Sequence, residues 1–114
     1  SGDKMAEVLN AEVGRQIARI SGDNWSVFVH QLHKECQTAL SQIRAATTKT
    51  ALSELLPACR RGQTTAGSVG AIALHQIFLE IEELAKANRW QQLTSSLTQA
   101  EELLEQTRLA LTLL

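Results

Sequence analysis

With 114 residues, 44% of them apolar, the chain holds enough material for one domain with its own core and too little for two. A net charge of −1 leaves no basic surplus for a nucleic-acid partner, and no apolar run approaches the roughly 20 residues that cross a bilayer. One proline, no tyrosine and an abundance of Ala, Leu, Glu and Gln point to an all-α fold, because these side chains lose little rotamer freedom in a helix.

Residues 1–4 read as a cloning remnant or a disordered lead-in, and the remainder as one domain of what can be a longer protein. No charged-then-apolar leader with a small-residue cleavage site is present, so the expected location is cytoplasmic. Cys36 and Cys59 fall on apolar faces of different helices, and two cysteines make no disulfide framework; reduced, buried thiols are expected.

Met5, Val8, Leu9, Val13 and Ile17 recur at helical spacing and predict a short first helix ending near Ile20. Gly22 suits a left-handed C-cap, and Asp23 or Asn24 an N-cap for the next helix. That second helix is predicted from Trp25 to Ala46, with Trp25, Phe28, Val29, Leu32, Cys36, Ala39, Leu40 and Ile43 on its apolar stripe. His30, His33 and Cys36 are spaced by three, which invites a metal reading. Such steps rotate the side chains round the helix, and no second ligand cluster exists, so no metal or other cofactor is expected.

Thr47 and Thr48 interrupt the pattern and are expected to cap a third helix carrying Leu52, Leu55, Leu56, Ala58 and Cys59. Pro57 is expected to kink it between Ser53 and Pro57, and the helix to end near Ala66 or Gly67. After a turn at Ser68 or Gly70, a fourth helix buries Leu74, Ile77, Phe78, Ile81, Leu84 and Ala85, leaving Glu80, Glu82, Glu83 and Lys86 wet. Asn88 suits a left-handed turn before a last helix from Trp90 to Leu113. There Trp90, Leu93, Leu97, Ala100, Leu104, Thr107 and Leu111 form the stripe, while Glu101, Glu102 and Glu105 face solvent. Short connections make neighbouring helices antiparallel, so the last four are expected as an up-down-up-down bundle with the short first helix as a lid.

The stretch from Cys59 to Ala71, with three of the six glycines and the pair Arg60-Arg61, is the distinctive part. Together with the helix rhythm, Gly67-Ser68-Val69-Gly70-Ala71, Leu74 and the Trp90 opening of the last helix, it resembles the histidine-containing phosphotransfer (HPt) domain of bacterial two-component phosphorelays. The resemblance covers about Val8 to Leu111. It implies docking to a response-regulator receiver domain or a hybrid sensor kinase. In that family a His-x-Leu-Lys-Gly run on the third helix carries the phosphoryl group. Counting back without gaps from Gly70, the histidine position falls on Arg60, the lysine on Gln63 and the small glycine on Thr64. A two-residue slip that matches Gly62 to the glycine puts Ala58 on the histidine and Arg61 on the lysine. Neither supplies an imidazole, so no catalytic residue carries over.

Arginine stays protonated and has no free lone pair, and alanine has no nucleophile. The resemblance therefore implies a degenerate member that has kept docking and lost phosphoryl transfer. Arg60, Arg61, Gln63, Thr64 and Gly67 are the expected docking residues, and the chain is expected as a monomer without membrane contact. Two alternatives stand beside this reading. One is an active phosphotransfer domain using His75, which a hairpin centred between Gly67 and Ser68 would place level with Arg60. The other is a structural dimerisation bundle. No paired carboxylates, phosphate loop or nucleophile–base constellation suggests an ordinary enzyme.

Overall fold

The computed structural model describes residues 8–114; the expectations for residues 1–4 and Met5 lie outside them. It is all-helical, with α1 (Ala11–Ser21), a short 3₁₀ turn (Gly22–Asn24), α2 (Trp25–Thr48), α3 (Leu52–Ser68), α4 (Ile72–Lys86) and α5 (Trp90–Thr112). Consecutive helices from α2 to α5 pack against each other, and α5 also packs against α2, which closes the ring. One continuous core runs through them, with Phe78, Ile43, Leu55, Leu74, Ile81, Leu93, Leu97 and Leu111 among its fully buried side chains. The long axis is 42 Å, set by the two helices of more than twenty residues at 1.5 Å per residue.

The three connections inside the ring are built alike. Each is three residues long, and its middle residue has positive φ: Thr50 at 48°, Gly70 at 72° and Asn88 at 59°. In each, the next residue's amide reaches back five positions, Ala51 to Ala46 at 2.9 Å, Ala71 to Ala66 at 3.0 Å and Arg89 to Leu84 at 2.8 Å. This is the Schellman arrangement, which satisfies the last carbonyls of a helix and reverses the chain at once. Asn88 had the right side chain for it, and its Oδ1 also accepts from Trp90 Nε1 at 2.7 Å.

Several local expectations are corrected. The helical pattern does not run unbroken from Val8 to Ile20; it breaks at Leu9–Asn10. There the Asn10 amide is spent on the Gly70 carbonyl at 2.7 Å, and its Oδ1 caps the Val13 amide at 3.3 Å. Neither Asp23 nor Asn24 caps α2 by a side-chain hydrogen bond, because the chain enters through the 3₁₀ turn instead. Gly22 has a positive φ of 55°, but with ψ at −126° it is not in the left-handed helical region. Thr47 and Thr48 do not cap α3. They extend α2 by returning their hydroxyls to its own carbonyls, Thr47 to Ile43 and Thr48 to Ala45, both within 2.8 Å. The cap position of α3 falls on Ala51, and Leu52, expected on the stripe, is exposed. The third helix passes through Pro57 and continues to Ser68, one or two residues beyond the expected end.

Candidate functional site

α3 turns its small residues inward. Leu55, Ala58, Cys59, Gly62 and Ala66 are buried, which leaves Arg60, Arg61, Thr64 and Gly67 exposed and Gln63 half-buried. Two consequences bear on the candidate residues. Ala58 is fully buried and cannot be a surface position, whereas the Arg60 side chain is 62% exposed. Gly62 is not open ground for a partner: a Cβ there would lie 2.4 Å from Cε1 of the buried Phe78 ring, so the glycine is what lets α3 and α4 approach. The slipped register, which needs Ala58 and Gly62 outside, therefore fails on burial.

Arg60, Gln63 and Gly67 line the α4 edge of α3, Thr64 points outward, and Arg61 leans toward α2. The Arg61 guanidinium donates to Gln42 Oε1, a neutral partner. Thr64 closes its hydroxyl on its own helix, at the Arg60 carbonyl 3.0 Å away. Beside it, Phe28, Gln31, Glu35, Thr65 and Ser68 shape a shallow groove between α2 and α3.

Glu82 is the residue that helical periodicity missed. Expected in solvent, it is only 8% exposed. Its carboxylate accepts from Lys86 Nζ at 2.9 Å and Gln63 Nε2 at 3.1 Å, and Arg60 Nε stands 3.8 Å away. The Lys86 hydrogen bond lowers its pKa most; burial opposes, and Gln63 and the two cations reinforce. The signal was present, since position 82 lies one turn after buried Phe78 and just before Ala85 on the same side of α4.

His75 does not lie level with Arg60. The reversal is centred on Gly70–Ala71, because α3 continues to Ser68, so His75 sits opposite Gly67 and Gln63 while Arg60 meets Glu82. The half-buried ring hydrogen-bonds through Nδ1 to the Gln63 carbonyl at 2.9 Å. A carbonyl only accepts, so Nδ1 carries the proton and, in the neutral ring, Nε2 keeps the lone pair. Gly67 faces this ring, and a Cβ there would stand 3.4 Å from Nδ1, an ordinary van der Waals contact.

The other histidines and the cysteines are scattered. His30 is exposed, while half-buried His33 keeps an Nδ1 without a partner among the described residues. Burial holds the His33 pKa below its ordinary value; Glu105 opposes this, and Arg108 and His30 reinforce it. Among the described residues no three His, Cys, Asp or Glu side chains converge as a metal site would require. Cys36 and Cys59 are free and buried, and burial pushes both thiols up to about 12, far from the nucleophilic thiolate. No helix among the described residues is long and apolar enough to cross a membrane. No known family, characterised protein or solved structure matches the chain.

Proposed function

We propose that the chain is an HPt-like docking module of a bacterial two-component phosphorelay. In this reading it is an up-down-up-down four-helix bundle with α1 laid over one end. It binds a receiver domain or hybrid sensor kinase in the cytoplasm, as a monomer, and carries no phosphoryl group itself. Facing pairs on neighbouring helices support the antiparallel arrangement: Arg61 with Gln42, Thr65 with Glu35, Gln63 with Glu82, and Arg44 with Glu101.

The observation that carries the proposal is the placement of Arg60. In the ungapped register it takes the acceptor's place on α3, and its side chain stands exposed beside exposed Thr64 and Gly67. A guanidinium there offers a permanent positive charge and no nucleophile, which suits recognition of an acidic pocket and excludes transfer at that position. The experiment is incubation with a receiver domain phosphorylated with labelled phosphate. Binding without transfer is expected; stoichiometric, acid-labile label on this chain overturns the reading.

One observation favours a second reading, transfer through His75. Its Nδ1 is tied down by the Gln63 carbonyl, which leaves the neutral ring's lone pair on Nε2. Attack by that nitrogen on an aspartyl phosphate would form the N–P bond and release the carboxylate. In that case the label appears on the unmodified chain and disappears in H75Q.

A further inference from the structure

The cations of α2 to α5 fall into two groups. Arg44, Lys86 and Arg108 each reach a carboxylate within hydrogen-bond distance: Glu101, Glu82 and Glu105. Lys34, Arg60 and Arg61 do not, among the described residues. Lys34 and Arg61 line one open groove between α2 and α3, and Arg60 stands exposed next in the chain, on the α4 side of α3. The groove also holds Glu35, whose Oε2 meets the Thr65 hydroxyl at 3.5 Å.

Arg60 has a carboxylate within sight, but as the third and most distant of its partners. Glu82 is already served at 2.9 and 3.1 Å by Lys86 and Gln63, and Arg60 stands off at 3.8 Å without a hydrogen bond. A guanidinium with five donors and none committed to a carboxylate is set to exchange partners. Glu82 opposes that exchange in two ways: it attracts Arg60, and it repels an incoming anion from a nearly dry position where charge is weakly screened.

We infer that Lys34, Arg61 and Arg60 form a binding face for an acidic protein surface, and that Glu82 is the internal counter-charge a partner's carboxylate must displace from Arg60. Glu82 then sets affinity without touching the partner. The inference rests on the docking reading of α3, but not on the partner being a receiver domain.

The probe is a short poly-glutamate peptide, titrated at low salt against the full chain with amide and arginine Nε resonances as the readout. Saturable shifts at Lys34, Arg60, Arg61 and Thr64 are expected. Glu82→Gln should tighten binding about threefold or more, and the greater part of the gain should vanish in the R60Q background, because only the direct repulsion of the anion remains there. A purely structural role predicts the reverse, equal or weaker binding. K86Q gives a check of opposite sign: Glu82, relieved of its closest cation, holds Arg60 harder, and binding weakens more where Arg60 is present than in the R60Q background. No saturable binding, unchanged or weaker binding in E82Q, or a gain undiminished without Arg60 overturns the inference. Receiver domains tested in parallel separate the two proposals. Peptide binding with the E82Q gain but no receiver binding sinks the phosphorelay reading alone, and receiver binding insensitive to E82Q sinks this one alone.

Discussion

At the scale of single residues, the contact surface of α3 is decided by what its inner face can hold. Gly62 faces a phenyl ring whose Cε1, Cζ and Cδ1 would all lie within 2.6 Å of an added Cβ. Alanine favours the helix by about 1 kcal/mol, yet here it must displace a fully buried ring, and overpacking of this kind costs about 1–3 kcal/mol. G62A is therefore expected to lower stability by up to about 2 kcal/mol in urea denaturation; a gain would show that the ring has somewhere to go. Glu82 makes the matching electrostatic case. Its folded-state pKa is depressed, so its stabilisation is present above the ordinary carboxylate pKa and is lost as pH falls through the folded value. E82Q should then be less stable than the parent at neutral pH, by about 1–2 kcal/mol for hydrogen bonds to a charged group, with the difference closing below about pH 4. Parallel stability curves across that range would refute the assignment. Neither residue was read as a packing element from the sequence. Gly62 was read only as a match to the family's small glycine, because a missing side chain leaves no mark on hydrophobic periodicity, and Glu82 read as solvent-facing because its identity outweighed its register.

At the scale of elements, helix type and order were legible because each helix repeats its apolar residues over three or more turns. The second and last helices were placed to within two residues at their ends. What was not legible was how each helix stops. Gly70 and Asn88 announce a left-handed residue, but Thr50 performs the same task with a β-branched side chain that resists positive φ, so its turn was shifted onto Thr47 and Thr48. The shift from a hairpin centred at Gly67–Ser68 to one at Gly70–Ala71 moved His75 from Arg60 to Gly67 and changed the apparent site. Thr50 and Gly70 give opposite expectations for one turn geometry. T50G removes strain at φ 48° and should raise the unfolding free energy by about 1 kcal/mol, after the entropy glycine adds to the unfolded chain. G70A introduces strain at φ 72°, and its Cβ would stand 3.1 Å from Cβ of both Asn10 and Val13. Hydrogen exchange should find the α1 amides from Val13 to Ile17 deprotected in G70A while α2 to α5 keep their protection. Uniform loss across all helices would mean that α1 is integral to the core and not a separately docked element.

At the scale of the whole molecule, a net charge near zero conceals an uneven distribution. α2 and α3 carry Lys34, Arg44, Arg60 and Arg61 against Glu35 and Glu54, whereas α4 and α5 carry Glu80, Glu82, Glu83, Glu101, Glu102 and Glu105 against Lys86 and Arg108. Exposed large apolar side chains are few among the described residues: Ile20, Val27, Leu52 and Ile72 fall one to a helix, and Leu109 and Leu113 lie at the end of α5. On the docking reading, recognition would rest on field more than on apolar area, and an acidic partner would be steered toward the α2–α3 side. Arg60 and Arg61 are the test, because they contribute to the field and little to the fold. One stands 3.8 Å from its nearest carboxylate, and the other is bonded only to a neutral amide. The double variant R60Q/R61Q should therefore keep its stability within about 0.5 kcal/mol of the parent, as surface substitutions do. Binding to an acidic partner should weaken by about tenfold at low salt, chiefly through a slower on-rate, and the gap should narrow as salt screens the charges over about 10 Å at 0.1 M. Stopped-flow association across a salt series measures both quantities. A variant that unfolds early would place these arginines in the fold, and one that binds at the parental rate at every salt would remove α3 from the docking surface.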